Sequence, residues 1–213
     1  MFKDRTDAAL QLAEKLSPYK SHKGNIVVLA IPRGGLPLGA IVAKALDAPL
    51  DVALSKKLGH PYNREYAIGA VSLENVVLNE AVGVTKSYIV EESERVRKKL
   101  RKRHDQYYKN RFPRDLKGKT VIIVDDGIAT GNTIKVTAQL VHGQKPKKTV
   151  VAIPVAPPSA VKNLEDSEYI DEVVCLNTPR NFHAVGQYYE EFGQVSDTEA
   201  MQLLEEANRI INP

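Results

Sequence analysis

Apolar residues fall in two rhythms along this chain, continuous runs and helical stripes, and the two alternate. The runs are NIVVLAIP (25–32), APLDVAL (48–54), KTVIIVDD (119–126), TVVAIPV (149–155) and DEVVCLN (171–177). Runs of this kind are expected of strands covered on both faces, as in a parallel sheet. Between them lie helical patterns: RGGLPLGAIVAKAL after the first run, about Asn132 to Val141 with Gly143 as a C-terminal cap, and a short stretch after Pro157 and Pro158. At the start, Ala9, Leu12, Ala13 and Leu16 form a stripe that Pro18 ends. Near the end, Ser196 and Glu199 stand at capping-box spacing and predict a last helix. Alternating strand and helix predicts an α/β fold with a parallel sheet flanked by helices.

The middle breaks the rhythm. AIGAVSLENVVLN (67–79) reads as two short strands joined at Glu74 and Asn75, and a long helix follows with Ile89, Val96, Leu100 and Tyr107 along one side. The predicted organisation is a single domain over 1–213, with a hairpin-and-helix insert at about 57–112 and a C-terminal segment at about 177–213.

Composition narrows the class only a little. Of 213 residues, 43% are hydrophobic and 26% charged, ordinary for a globular chain. No apolar run reaches the roughly 20 residues that span a bilayer, and MFKDRTDAALQLAEKL reads as an amphipathic helix, not a signal peptide. One cysteine, Cys175, precludes an internal disulfide and suits a reducing cytoplasm. A net charge of +4 favours anionic partners, either phosphorylated metabolites or nucleic acid. The five histidines are scattered, which gives a zinc site little support.

Chemistry concentrates in VIIVDDGIATGNT (121–133), where a buried strand ends on Asp125 and Asp126 and a loop of small residues follows. Carboxylates accept hydrogen bonds from neighbouring hydroxyls, at roughly 1.5–3 kcal/mol each. Gly127 and Gly131 allow close backbone approach, Thr130 and Thr133 offer hydroxyls, and the helix from Asn132 aims free N–H groups at the same spot. Diol acceptors beside a phosphate cradle match a ribose 5-phosphate. A phospho-acceptor receiver domain also uses an acidic pair, but it gives no reason for the Thr-Gly-x-Thr loop.

VIIVDDGIATGNT resembles the phosphoribosyl pyrophosphate (PRPP) motif of the type I phosphoribosyltransferases. IPRGGLPLGAIVAKAL, KKLGHPYNREYAIGAV and AVGQYYEEFGQVSD extend the resemblance over nearly the whole chain, to a largely uncharacterised subgroup. It implies the Rossmann-like fold of that family, with a C-terminal hood, and transfer of the phosphoribosyl group from PRPP to a nitrogen nucleophile such as a nucleobase, releasing pyrophosphate with Mg²⁺. It implies that Asp125 and Asp126 orient the ribose and touch the metal through water, and that residues Gly127, Ile128, Ala129, Thr130, Gly131, Asn132 and Thr133 cradle the phosphate. Arg33, Gly34 and Gly35 become the pyrophosphate loop, where the family carries a strained, in some cases cis, peptide. Lys56 and Lys57 are read as ending the second core strand, one reaching the diphosphate and the other solvent, with Lys56 a catalytic and Lys57 a PRPP-binding candidate. His60, Arg64 and Glu65 fall where the family has a mobile catalytic loop, with Arg64 a catalytic candidate.

Two segments stay open on the residues alone. RVRKKLRKR (95–103) suggests nucleic-acid binding, but Glu91 and Glu94 stand at i,i+4 spacing from Arg95 and Lys98 and favour a solvated helix. In the hood, Phe182, Tyr188, Tyr189 and Phe192 could stack on an acceptor, Phe182 and Tyr188 foremost, or could serve only in packing. The alternative to an enzyme is a PRPP sensor that binds nucleic acid through the basic helix. Dimers are common in the family, so the resemblance allows a homodimer; nothing suggests a membrane partner.

Overall fold

The computed structural model describes residues 1–22, 24–63, 66–73, 75–78, 83–108 and 113–209. In chain order the elements are α1 (Arg5–Lys15), β1 (Ile26–Ala30), α2 (Gly35–Leu46), β2 (Leu50–Val52), β3 (Lys56–Gly59), β4 (Ala67–Val71), β5 (Val76–Leu78), α3 (Lys86–Tyr108), β6 (Thr120–Val124), α4 (Asn132–His142), β7 (Lys148–Val155), α5 (Pro158–Glu165), β8 (Glu172–Asn177) and α6 (Asp197–Arg209). Short 3₁₀ turns cover Ser17–His22 and Val185–Tyr188.

The continuous apolar runs form one parallel sheet in the order β2-β1-β6-β7-β8. Alternate residues go to opposite faces. Val28, Ala30, Ile122, Val124, Val150 and Ala152 join the core under α1, α2 and α6. Val27, Leu29, Val121, Ile123, Val151 and Ile153 join the core under α4 and α5. With helices on both sides most central strand positions are apolar, which is why the runs show little alternation. The connection β1–α2–β2 leads one way from the centre and β6–α4–β7 the other. A crevice therefore opens at the C-terminal ends of β1 and β6, the switch point where such sheets bind ligands.

The insert has its own small core. β3, β4 and β5 form an antiparallel sheet in that order, with Gly69 opposite Leu78 and Val71 opposite Val76, so the expected hairpin is present; Glu74 of its turn lies outside the described residues. Leu58, Ile68 and Val71 pack on Val96 and Leu100 of α3. This corrects the reading of Lys56 and Lys57. They do not end the second core strand, which stops at Val52; they open β3, paired with Val71 and Ala70. Burying Leu58 against α3 draws LSKKLG away from the central sheet. A smaller correction concerns Gly143, which caps α4 in a right-handed conformation (φ −59), while the positive φ falls on Lys145.

Asp51 ties the insert to the main sheet. It is only 4% exposed, and it accepts hydrogen bonds from the Tyr108 hydroxyl (2.5 Å), the Arg114 N–H (2.6 Å) and the Val52 N–H (2.8 Å). Burial raises its pKa while these donors oppose the rise. Removing one donor from a buried carboxylate costs about 1.5–3 kcal/mol. Tyr108→Phe is therefore expected to lower the melting temperature by roughly 3–12 °C, at about 2–4 °C per kcal/mol for a chain of this size. A calorimetric scan showing no change would mean that Tyr108 does not anchor α3.

Candidate active site

At the end of β6 the chain sets two carboxylates side by side. Asp125 is half-buried, and its Oδ1 accepts the Asp126 N–H at 2.9 Å. Burial pushes its carboxyl well above the ordinary range, and the charge of Asp126 pushes it the same way. Burial also raises Asp126, but there the Arg5 guanidinium opposes the shift. The first proton that the pair takes up therefore goes to Asp125, because Asp126 keeps its cation.

The loop behind the pair is built for close approach. Gly131 precedes α4 in a left-handed conformation (φ 77), which residues with a Cβ rarely adopt, and it brings no capping side chain. The first turn of α4 thus offers backbone N–H groups and the positive end of its dipole to an anion. Thr130, Asn132 and Thr133 line a cavity of about 600 Å³ on that side. Within the same run Gly127 and Ile128 are buried and Ala129 is exposed.

Across the crevice, the turn after β1 comes up against the acids. A Cβ on Gly34 would lie 2.1 Å from Asp126 Oδ2, so only glycine fits there. Gly35 opens α2, and the Pro32–Arg33 peptide is cis. Arg33 reaches Asp197 of α6 at 3.9 Å and lines a second cavity of about 630 Å³ with Gly34, Asp126, Val185, Phe192 and Gln194.

Arg5 was not among the residues singled out from the sequence. Its Nε and Nη2 meet Asp126 Oδ2 at 2.9 and 2.8 Å, its Nη1 donates to the Gly193 carbonyl at 2.6 Å, and its guanidinium lies 3.9 Å from the Phe192 ring centre. The arm that carries it is laced to the hood: the Phe2 N–H donates to the Tyr188 carbonyl, and the Glu190 N–H to the Phe2 carbonyl. Tyr189 packs on Phe2 and Phe192 and donates from its hydroxyl to the Asp126 carbonyl at 2.6 Å. One signal was available. A cation on the first residue of a helix opposes the helix dipole, which hints that something else holds it there.

Other candidates are distributed as follows. Phe182 and Tyr188 stack on each other with centroids 5.5 Å apart and line neither cavity, whereas Phe192 and Val185 line the second. The His60 N–H closes a turn onto the Tyr66 carbonyl, and its ring lies near those of Tyr62 and Tyr66; Arg64 and Glu65 lie outside the described residues. The basic helix is not merely solvated. Arg95, Lys99 and Arg103 line the 600 Å³ cavity with Lys56 and Lys57. The expected i,i+4 pairs are replaced by Glu92 with Arg95 and Glu94 with Arg97, each three apart. Cys175 is half-buried, its thiol pushed up to about 11 by burial. No helix among the described residues is long and apolar enough to cross a membrane.

This geometry has close counterparts. The family model described as a phosphoribosyl transferase domain matches residues 3–192. The chain belongs to the phosphoribosyl transferase family. A Mycobacterium tuberculosis relative, whose name assigns it provisionally to the phosphoribosyl transferases, is 41% identical over 98% of this chain and 47% of its own length. The chain thus spans about half the length of the curated relatives it matches. The crystal structure of TT1426 from Thermus thermophilus superposes with a TM-score of 0.89 at 40% identity, covering 97% of this chain and 98% of that one. The helix-flanked parallel sheet is that of the type I phosphoribosyltransferases.

In this member of the family the acid pair should weaken the fold at neutral pH. Both carboxyls titrate higher in the folded chain than the ordinary 3.8. Their protonated forms therefore favour the folded state, and that contribution is lost as pH rises through the raised values. Asp125→Asn keeps an oxygen to accept the Asp126 N–H and removes the charge. It is expected to melt higher than the parent at pH 7.5, with the gap closing as pH falls toward 3.8. A variant that melts lower at pH 7.5 would contradict the cost assigned to this charge.

Proposed function

We propose that the chain transfers the 5-phosphoribosyl group of PRPP to a ring nitrogen of a nucleobase or related heterocycle, releasing pyrophosphate in an Mg²⁺-dependent reaction. One observation carries this reading: Gly34 leaves its Cβ position to the Asp126 carboxylate, which sets the Arg33 loop against the acid pair, and the chain after that pair runs through Gly131 directly into the N-terminus of α4. In that arrangement the 5-phosphate meets the α4 turn at Thr130 to Thr133. The ribose hydroxyls donate to Asp125 and Asp126, and the diphosphate meets Arg33 and the Lys56 side.

The residues fit Mg²⁺ as a shared ion, not as an all-protein site. Asp125 and Asp126 supply hard oxygen donors, but Asp126 Oδ2 already accepts from Arg5, and no group of three or more His, Cys, Asp or Glu side chains among the described residues forms a cage. Asp125 and Asp126 would hold the ion through water, with ligand oxygens completing its shell. Bound there, Mg²⁺ would neutralise charge on the departing pyrophosphate.

The protein's own part is positional and electrostatic. The carboxylates fix the ribose and favour positive charge at its anomeric carbon, and the cations at the Arg33 loop favour the departing anion. The acceptor approaches through the cavity walled by Val185 and Phe192, with the Phe182–Tyr188 stack as a second surface of the same segment. The sensor alternative gains little support, because Arg95, Lys99 and Arg103 face the cavity and Arg97 and Arg101 are paired with Glu94.

Calorimetric titration with PRPP and Mg²⁺ tests the assignment directly. Replacing Asp125 and Asp126 together by Asn is expected to weaken PRPP at least about 100-fold, from two charge-assisted contacts of about 1.5 kcal/mol or more each. Unchanged affinity rules the assignment out. Pyrophosphate release with one of a panel of purines, pyrimidines and other nitrogen heterocycles identifies the acceptor; tight RNA or DNA binding without turnover favours the sensor.

A further inference from the structure

The cavity behind the phosphate loop holds more positive charge than the proposed transfer uses. Arg95, Lys99 and Arg103 stand at i, i+4 and i+8 on one face of α3, about 6 Å apart along the helix axis per step. All three line the cavity, and Lys56 faces them from β3. Among the described residues no carboxylate lies within ion-pair distance of Lys56, Lys99 or Arg103, and Arg95 alone of the three helix cations is held, by Glu92. Burial lowers the Lys56 pKa, and the nearby charges of Arg103, Lys99 and Arg95 lower it further. Gathered cations of this kind repel until an anion joins them.

The stripe also has a direction. Arg103 lines both cavities, so that end sits beside Arg33, Gly34 and Asp126. Arg95 is two turns farther along α3 and lines only the cavity behind the phosphate loop. A diphosphate that begins at Arg33 meets the Arg103 end and leaves Lys99 and Arg95 for one more phosphate, which would compete with Glu92, also in the cavity wall, for the Arg95 guanidinium. The remaining bases of RVRKKLRKR are arranged otherwise: Arg97 and Arg101 pair with Glu94, and Lys98 and Lys102 do not line the cavity.

We propose that this face of α3 is a binding site for a linear chain of three phosphates, free or carried by a nucleoside, with one end at Arg103 and the other at Arg95. The site overlaps the proposed diphosphate position at Arg103 but requires neither PRPP binding nor turnover. Occupation by a triphosphate would exclude PRPP, so the ligand acts as a competitor.

Isothermal titration at about 0.15 M ionic strength with inorganic phosphate, pyrophosphate, tripolyphosphate and the nucleoside triphosphates ATP and GTP tests this. Tripolyphosphate is expected to bind at least about tenfold more tightly than pyrophosphate, one charge-assisted contact being worth that much. Lys99→Ala or Arg95→Ala should abolish that advantage and leave pyrophosphate nearly unchanged. The control, Lys98→Ala with Lys102→Ala, removes charge from the same helix outside the cavity and should alter neither. Equal losses in the control, or no preference for three phosphates over two, overturns the proposal. ATP or GTP binding as tightly as tripolyphosphate identifies a nucleotide as the source, and binding of tripolyphosphate alone identifies the free chain. If the parent protein binds triphosphate but not PRPP, the transfer reading fails and this site stands; the reverse result fails this site alone.

Discussion

Two carboxylates on consecutive residues at the end of a buried strand set a cost that the surrounding elements are arranged to offset. In water such a pair would be held apart by solvent. Here desolvation and mutual repulsion both act on Asp125, offset only in part by the Asp126 N–H and the charge of Arg5. Asp126 is tolerated because Arg5 supplies two N–H groups to one of its oxygens. A domain that only needed to fold would replace the pair by apolar residues continuing the pattern of β6. That both acids are present, with glycine on the facing loop, marks this end of the sheet as one where stability is given up, the pattern expected of a ligand site.

The N-terminal arm and the hood behave as one piece around that pair. Phe2 bridges to Tyr189, Tyr189 stacks on Phe192, Phe192 lies under Arg5, and Arg5 closes the circuit on Asp126 and Gly193. The two ends of a roughly 190-residue stretch therefore meet at the carboxylates. A shift of the hood toward or away from a ligand must move the cation that sets the charge of Asp126. On the proposed function, an acceptor at Val185 and Phe192 and a ribose at the acids would be coupled through one guanidinium.

Much of this was legible in the sequence, and the parts that were not share a physical cause. The central sheet is legible because double-sided burial leaves an unbroken apolar signature, and VIIVDDGIATGNT because its chemistry sits on consecutive residues. β3 was hidden because LSKKLG carries two lysines and one core leucine; its strand character comes from packing on α3, not from its own pattern. Arg5 was hidden because its partner is 121 residues away. The i,i+4,i+8 stripe of α3 was visible, but periodicity alone does not say whether a charged face meets water or a cavity. Phe192 could not be distinguished from Phe182 for the same reason: an aromatic side chain reads the same whether it packs or lines a site.

Charge at the crevice is sorted by position. The acids stand at the centre, on the end of β6, and cations flank them on both sides: Arg5 and Arg33 toward the hood, Lys56, Lys99 and Arg103 toward the insert. A ligand complementary to this order is neutral or hydroxylated in its middle and anionic at its ends. A uniformly anionic ligand laid across the acids would be repelled by them, and a cationic one by both flanks. Arg103 lies on the boundary between the two cavities, so anions in either one contend for the same guanidinium. Sharing that residue places the insert in electrostatic contact with the cavity that Asp126 lines.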